Sequence, residues 1–263
     1  MPFLPNPYNA CMALGRRHYL IGAALSLLLV GAALVAAWWW RPPPGLDTWG
    51  SGAPPARWAT RARQEEVWKR EGVHRRIEYV YVPLSEISLE LQLAVLVSED
   101  LDFFGHGAVD VRAIREAIEE WREGGRLRGA STISQQLAKN LYLSGKRSLW
   151  RKVEEARLAW WMERTLGKRR ILELYLNIVE FGPGVYGAEA AAAHYFGTHA
   201  NDLDADQGAA LAAAIPSPGR DNPSTRSRRW EARRRLIRAR IDRVDWLRDR
   251  LERLNQQRAG SAP

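Results

Sequence analysis

The sequence is nearly free of cysteine, because its single cysteine is Cys11. No disulfide can therefore form within the chain. The five histidines are scattered and show no zinc-ligand spacing. Walker, dinucleotide-binding, Gly-x-Ser-x-Gly and Ser-x-x-Lys sequences are also missing. These absences exclude the common zinc, nucleotide-binding and serine- or cysteine-nucleophile chemistries.

Acidic residues are missing from the first 40 positions, where residues 19–40 form an apolar run of 22 residues. As a helix this run is about 33 Å long, enough for the roughly 30 Å hydrocarbon core of a bilayer. A cleaved signal peptide is the competing interpretation, but its apolar region is shorter and ends in small residues. Here the run ends in Trp38, Trp39 and Trp40, which are typical of an interfacial aromatic belt. The pattern predicts a transmembrane helix.

Arg16 and Arg17 precede this span. By the positive-inside tendency they place residues 1–18 in the cytoplasm and the chain after residue 40 outside it. We therefore expect a single-pass membrane protein whose main domain lies outside the cytoplasm. The net charge of +9 favours anionic headgroups or phosphorylated substrates as partners, and an exported domain would not meet nucleic acid.

The remaining chain divides by composition into three parts. Residues 41–75 contain a Pro- and Gly-rich linker and a membrane-proximal segment, residues 76–222 form the main domain, and residues 223–263 are an arginine-rich helix and tail. One extended segment is predicted at 77–82. Apolar periodicity predicts helices at about 58–76, 88–104, 109–123, 132–142, 148–166, 168–177, 187–195, 205–214 and 226–255. The predicted fold class is mainly α, a compact helical domain.

Residues 129–140 combine a helix start with polar side chains on one face. Thr132 and Gln135 have the spacing of a capping box. Thr132, Gln136 and Lys139 then share one stripe, whereas the apolar stripe consists of Ile133, Leu137 and Leu141. A hydroxyl, an amide and an ammonium at a helix start can bind an anion such as a phosphate. The alternative is an ordinary capped surface helix.

Glu99 is predicted at the end of a strongly apolar helix, with Val95, Leu96 and Phe103 on its own face. A partly desolvated carboxyl of this kind can act as a general base or acid. The alternative is a helix-end carboxylate turned to solvent. His106, seven residues later, either orients Glu99 or fixes a loop through hydrogen bonds.

Two further charged groups have both a functional and a plain interpretation. One group consists of Arg147, Arg151 and Glu155, which are spaced four residues apart on one helical face. They either bind a diphosphate or form a surface ion-pair ladder. The arginine-rich helix either faces lipid headgroups or is a solvated terminal helix. Its candidate lipid-facing residues are Arg228, Arg229, Arg233, Arg234 and Arg235.

The order of these motifs resembles that of the peptidoglycan glycosyltransferases. The matching sequences are Glu99-Asp100-x-x-Phe103-x-x-His106, Gly129-Ala-Ser-Thr-Ile-Ser-Gln-Gln-Leu-Ala-Lys-Asn140, Arg151-Lys-x-x-Glu155, Lys168-x-x-Ile171-Leu-Glu-x-Tyr175-Leu-Asn177, Phe181-Gly-Pro-Gly-Val-Tyr-Gly187 and Ala193-His-Tyr-Phe-Gly197. The likeness covers about residues 78–222. With one membrane span and too little remaining chain for a transpeptidase domain, the sequence resembles the monofunctional biosynthetic form of the family.

The resemblance implies a lysozyme-like helical fold and a membrane-anchored substrate, lipid II. It implies transfer of the growing glycan to the 4-hydroxyl of an acceptor disaccharide, with inversion and release of undecaprenyl diphosphate. Lipid II, the growing glycan strand and the membrane are then partners, together with other cell-wall synthases. No organic cofactor is implied, but a divalent cation, magnesium or manganese, is.

The resemblance also assigns roles to residues. Glu99 matches the general base and Glu155 the second acidic residue, near the phosphates or their metal. Lys139, Arg147 and Arg151 match cations around the diphosphate. The other expected substrate-binding or supporting residues are Asp100, Phe103, His106, Ser131, Thr132, Gln136 and Asn140.

One position departs from the family, which usually has a glycine two or three positions after the histidine. Here Gly107 follows His106 directly and Ala108 comes next, so a different loop path is expected around His106. The nearest alternative function is a lysozyme-like hydrolase or lytic transglycosylase, which also uses one glutamate but needs no diphosphate-binding cations. A non-enzymatic scaffold of cell-wall synthesis would need neither Glu99 nor Glu155.

Overall fold

A computed structural model of the chain describes residues 7–50, 52–54, 57–125, 131–143, 145 and 148–256, with side chains from residue 22 onward. Its helices are α1 (Pro7–Trp39), α2 (Ala59–Arg70), α3 (Leu89–Glu99), α4 (Val111–Arg122), α5 (Ile133–Tyr142), α6 (Leu149–Ile178), α7 (Ala188–Phe196), α8 (Ala205–Ala214), α9 (Arg228–Ile241) and α10 (Asp245–Gln256). Short 3₁₀ helices cover Asp47–Trp49, Leu84–Glu86 and Ala200–Asp202. The predicted mainly α fold class is confirmed.

Residues 1–44 and 45–263 are two separate compact units. The first contains α1, whose segment Gly22–Trp39 has a mean hydropathy of 1.9 over 18 residues. Within the described residues this is the one helix long and apolar enough to cross a membrane. Its leucines are exposed, Leu27 to 74%. Exposed apolar side chains along 18 residues fit a single-pass membrane anchor.

Helix α3 lies at the centre of the second unit, because all residues from Leu91 to Val97 are buried. The alanine-rich helix α8 packs against it at very short range. A Cβ atom added at Gly208 would meet the backbone carbonyl carbon of Glu90 at 3.0 Å, so a larger residue would push the two helices apart by a few tenths of an ångström. Helices α5 and α6 pack against each other through Leu137 and Leu158, which belong to the same core. The rigid packing of α3 fixes the position of its last residue, Glu99.

A small sheet with strands β1 (Glu78–Tyr79), β2 (Glu180–Gly182) and β3 (Val185–Tyr186) lies beside the helices. The strand order is β1-β3-β2, with β1 parallel and β2 antiparallel to β3. The sequence predicted an extended segment at 77–82 but missed the two later strands. Two- and three-residue strands are too short to show an alternating pattern, and their glycines suggested only a loop.

Helix α6 is interrupted at Gly167, whose φ of 72° and ψ of 164° are non-helical. The sequence predicted separate helices at 148–166 and 168–177, and this division is confirmed. The φ value lies in the left-handed half of the Ramachandran plot, which favours glycine. The break redirects the second part of α6, which then supplies Tyr175 to the site described below.

The segment expected to be a linker differs from that expectation, because the second unit begins at Gly45. Trp49 and Trp58 are 7% and 2% exposed and belong to the core. Helix α2 lies against α5, where the Thr60 hydroxyl donates a hydrogen bond to the Asn140 carbonyl at 3.3 Å. Burial of large indole side chains holds this segment on the domain despite its high Pro and Gly content.

The C-terminal region also differs from the expected single solvated helix. The predicted helix at 226–255 is two helices, α9 and α10, separated at 242–244. Both helices pack into the core through Trp230, Ile237, Ile241, Leu247 and Leu251, each at most 6% exposed. These apolar residues recur at helical spacing between the arginines, where the dense charge obscured them.

Candidate active site

Glu99 is the last residue of α3, and its carboxylate is held by polar donors. Its Oε2 accepts a hydrogen bond from Gln136 Nε2 at 3.0 Å, and its Oε1 accepts from Ser98 Oγ at 3.1 Å. Arg233 of α9 contributes an ion pair, with Nη2 2.8 Å from Oε1. The side chain is 11% exposed. The expected partial desolvation is therefore present, but polar groups rather than the predicted apolar neighbours contact the oxygens.

Gln136 has a fixed orientation because Tyr175 contacts its other amide atom. The Tyr175 hydroxyl donates to Gln136 Oε1 at 2.9 Å, which leaves Nε2 directed at Glu99. Burial raises the pKa of Tyr175 well above its ordinary value, and the nearby carboxylates of Glu99 and Asp100 raise it further. The phenol is therefore a permanent donor, and the amide cannot rotate without losing both hydrogen bonds.

Asp100 connects the loop after α3 to the beginning of α5. Its Oδ2 accepts from the backbone N–H of Ile133 at 2.9 Å, and its Oδ1 lies 2.7 Å from His106 Nε2. His106 Nδ1 lies 2.6 Å from the Gly107 carbonyl oxygen, so both ring nitrogens face acceptors. Burial by itself lowers the pKa of His106, but the hydrogen bonds to Asp100 and Gly107 outweigh it and raise the pKa. His106 therefore fixes the loop and contacts Asp100 rather than Glu99.

Two of the expected substrate-binding side chains are occupied by the protein itself. Phe103 is fully buried, with the Lys168 ammonium 4.3 Å from its ring centroid. Thr132 is 2% exposed; its hydroxyl donates to the Ala108 carbonyl at 2.7 Å and accepts from the Gln135 N–H at 3.1 Å. The predicted capping box is confirmed. Phe103 supports the site from beneath, and the Thr132 hydroxyl is already used in hydrogen bonds within the protein.

Lys139, Arg151, Lys152 and Glu155 lie together and are called here the cation cluster. Arg151 Nε lies 3.4 Å from Glu155 Oε1, and Lys152 Nζ lies 2.9 Å from Glu155 Oε2. Lys152 also donates to Ser131 Oγ at 2.8 Å. Burial lowers the pKa of Lys139, an effect that Glu155 opposes and that Arg151 and Lys152 strengthen. Three cations around one carboxylate leave a surplus of positive charge.

Arg147 lies outside the described residues, as does Gly129. Helix α6 begins at Leu149 after the N-cap Ser148, so the predicted helical stripe starts at Arg151. Asn140 ends the polar face of α5 and is half-buried, with its carbonyl bound by Thr60.

Two cavities lie near these groups. One, of about 240 Å³, is lined by Glu99 together with Asp100, Asp102, Asp110, Ser131 and Thr132. The other, of about 210 Å³, is lined by Lys139 and Arg151 together with Thr60, Arg63 and Glu180. A larger cavity, of about 730 Å³, lies between α7, α8 and α9 and contains none of the predicted site residues. Chemistry rather than size therefore identifies the candidate site: one cavity contains the carboxylate of Glu99, the other three cationic residues and Glu180.

The surroundings of Glu155 do not by themselves fit a divalent cation. Its side chain is 5% exposed and both oxygens face cationic nitrogens. Across the described part of the chain, no group of three Asp, Glu, His or Cys side chains is arranged to bind a metal. Divalent cations require several oxygen ligands, so we assign no chemical step to a metal.

Three residues of the site were missed from the sequence. Lys152 could have been found from its position three residues before Glu155 on a helix. Tyr175 and Arg233 contact the site from 39 and 134 residues away, to Gln136 and Glu99 respectively. No local pattern reports a contact at such a separation.

Comparison with known proteins supports the motif assignment. The family model described as Transglycosylase matches residues 65–242. The chain is 47% identical over 166 residues to a biosynthetic peptidoglycan transglycosylase of Methylobacillus flagellatus, a match that covers 63% of this chain and 72% of the relative. Relatives of the same name from Shewanella oneidensis and a Marinomonas species are 50% and 43% identical, over 62% and 68% of this chain and 70% and 75% of theirs.

The matched region includes the second half of α2 and all of α9, which the sequence had assigned to flanking segments. It also confirms the expected lysozyme-like helical fold. Since the family model matches more than half of the chain and includes Glu99, Gln136, Lys139, Arg151 and Glu155, the chain belongs to the transglycosylase family.

Proposed function

We propose that this protein is a peptidoglycan glycosyltransferase that polymerises lipid II into glycan strands at the membrane surface. The observation that carries the proposal is the arrangement along α5. Gln136, near its middle, binds the carboxylate of Glu99, and Lys139, one turn later, lies in the cation cluster. One helix that both holds the candidate base and supplies an anion-binding group matches the two needs of a transfer that expels a diphosphate.

In the proposed reaction, Glu99 accepts the proton of the acceptor 4-hydroxyl. The acceptor oxygen attacks the anomeric carbon of the growing glycan from the face opposite the diphosphate. The bond between that carbon and the diphosphate oxygen breaks, its electron pair leaves with undecaprenyl diphosphate, and the configuration inverts. Glu99 suits the first step because its carboxylate is paired with Arg233 and held in place by Gln136.

The cation cluster stabilises the negative charge that grows on the leaving diphosphate. Lys139 suits this role because it is desolvated and has no anionic partner of its own at ion-pair distance among the described residues. Glu155 keeps Arg151 and Lys152 in place through ion pairs with both. Hydrogen bonds to charged groups are about twice as strong as neutral ones, so a bound diphosphate would gain substantially here.

The anchor helix and an exposed apolar face fit a substrate that stays in the bilayer. On α4, Val111, Ile114, Ile118 and Trp121 follow one another at helical spacing and are 64%, 36%, 41% and 60% exposed. An apolar stripe exposed on a helix is typical of contact with lipid. We propose a single-pass inner-membrane protein with a cytoplasmic N-terminus and a periplasmic catalytic domain.

The alternative is a glycan-cleaving enzyme with the same glutamate, which would not need the cation cluster. Incubation of the purified full-length protein with lipid II, and separately with finished peptidoglycan, distinguishes the two. Polymer from the first and no fragments from the second are expected. Fragments from peptidoglycan without polymer from lipid II would show that the protein is a hydrolase rather than a synthase.

The assignment of Glu99 is tested with Glu99→Gln, which keeps the size of the side chain but replaces one acceptor oxygen by an NH2 group and cannot accept the proton. We expect polymerisation to fall by at least about 100-fold while folding and membrane binding are kept. The matched control is Glu71→Gln, at an exposed position after α2, which should behave as wild type. More than a few per cent of residual activity in Glu99→Gln would sink the assignment.

A further inference from the structure

The arginine-rich helix α9 reaches the site through one side chain. Trp230, Arg233 and Ile237 lie at i, i+3 and i+7 on its inner face. Trp230 and Ile237 are 6% and 2% exposed, and the Trp230 indole N–H donates to the Ala210 carbonyl at 2.9 Å. Ser227 caps the start of the helix by accepting from the Trp230 backbone N–H. Packing on both sides of Arg233 therefore fixes where its guanidinium lies.

All hydrogen bonds from Arg233 to the end of α3 come from one nitrogen, Nη2. This atom lies 2.8 Å from Glu99 Oε1, 2.8 Å from Ser98 Oγ and 3.5 Å from the Ser98 carbonyl oxygen. The Glu99 side chain is 11% exposed and that of Arg233 is 35% exposed. The ion pair is thus partly shielded from water, and a single positive centre makes every contact.

The other charges around Glu99 act mostly against its anionic form. Asp100 follows it directly, and Asp102 and Asp110 line the same cavity. From α6, Tyr175 lies close but is neutral, and from α5 Lys139 interacts with Glu99 electrostatically without an ion-pair contact among the described residues. The neighbouring carboxylates repel the negative charge of Glu99, and partial burial reduces the contact of that charge with water. Arg233 opposes both effects at contact distance.

We propose that Arg233 is a positioning residue for the reaction: its guanidinium balances the charge of Glu99 and directs its carboxylate, so that Glu99 can deprotonate the acceptor hydroxyl. This inference rests on the assignment of Glu99 as the base. It also gives the arginine-rich helix a function that is independent of lipid headgroups. The helix completes the site from the far end of the chain.

The test compares Arg233→Ala, Arg233→Lys and Arg233→Gln in the purified full-length protein, with polymerisation of lipid II measured against pH. In Arg233→Ala the acidic limb of the kcat profile should move to higher pH by about one unit, a roughly 10-fold loss of kcat below that limb. The loss should shrink as the pH rises, and KM should change little because Arg233 contacts the base. Arg233→Lys should restore most activity, since one positive centre is enough, whereas the neutral Arg233→Gln should not.

Arg240→Ala is the matched control, because it removes the same charge from an exposed position on the same helix. It should keep the wild-type profile. A loss in Arg233→Ala that is equal at every pH and is not rescued by lysine would overturn the proposal in favour of a packing role. Wild-type activity in Arg233→Ala would overturn it as well. If Arg233→Ala does not fold, the comparison of Arg233→Lys with Arg233→Gln carries the test.

Glu99→Gln is measured in the same series to separate this proposal from the assignment on which it rests. Activity in Glu99→Gln would refute the assignment of Glu99 as the base. If Glu99→Gln is inactive and Arg233→Ala is fully active, only the proposed role of Arg233 is refuted.

Discussion

The middle of helix α5 contacts a carboxylate, and its end lies in a cluster of cations. The two groups differ in how completely other protein groups pair with their charge. Near the middle, Gln136 and Arg233 donate to the two oxygens of Glu99. Near the end, Lys139 is desolvated and its pKa is lowered. The neighbouring Arg151 Nε is buried without a hydrogen-bond acceptor among the described residues. The protein already donates hydrogen bonds to both oxygens of Glu99, whereas the cation cluster has more positive than negative charge.

This difference indicates separate roles for the two groups. A general base must be oriented before the acceptor arrives, so its hydrogen bonds exist in the free enzyme. Cations that stabilise a leaving group are most effective if their counter-charge appears only when substrate binds and the bond breaks. An incompletely paired cation cluster is therefore the expected state before substrate binding.

The largest expected effect in this comparison comes from Lys139→Ala. Removal of this ammonium should lower kcat/KM for the donor by about 100-fold, because one charged donor to the developing diphosphate is lost. The fold should be kept, since Lys139 makes no ion pair among the described residues that another residue depends on. Steady-state kinetics with lipid II and thermal unfolding of the same samples measure the two effects.

Lys69→Ala is the matched control, since it removes an exposed lysine from α2. Binding of inorganic diphosphate adds a pH test. Because the pKa of Lys139 is lowered, its ammonium loses its proton at a lower pH than an ordinary lysine. Affinity should fall on the alkaline side in the wild type and not in Lys139→Ala. Unchanged donor kinetics in Lys139→Ala would show that Lys139 does not stabilise the leaving diphosphate.

A smaller effect is expected from Tyr175→Phe, which tests the orientation of the base. The variant removes one hydrogen bond of about 1 kcal/mol and frees the Gln136 amide to rotate. The expected result is a fall of about 5-fold in kcat with little change in KM. Full activity would show that Gln136 does not need Tyr175. Tyr79→Phe serves as the control, because among the described residues the buried Tyr79 hydroxyl has no hydrogen-bond partner.

The smallest effect on catalysis is expected from His106→Gln, which acts on the loop beside the base. The charged His106 contributes stability through Asp100 and the Gly107 carbonyl. Because its pKa is raised in the folded state, this contribution is complete below the unfolded pKa and is lost as the pH rises through the folded pKa. Thermal unfolding should show wild type more stable than the variant by about 1–3 kcal/mol at acidic pH. The difference should narrow at alkaline pH, and a gap independent of pH would contradict a charged His106.

The local features of the site could be predicted because each depends on residues close in sequence. The capping box of Thr132 and Gln135 and the apolar stripe of Ile133, Leu137 and Leu141 follow directly from helical spacing, and the structure confirms both. Gly167 separated two predicted helices for the same reason. The surroundings of Glu99 could not be predicted, since Gln136 and Arg233 come from two other helices.

The sequence by itself determined the anchor helix, the mainly α fold, the family and the candidate base and cations. It could do so because periodicity, capping and motif order depend on residues that are close in sequence. Only the tertiary structure decided that Phe103 and Thr132 are buried supports, that Tyr175 orients Gln136, and that α9 reaches Glu99. A charge run such as 226–243 looks solvated in sequence, and only packing of Trp230 and Ile237 into the core turns one arginine toward the base.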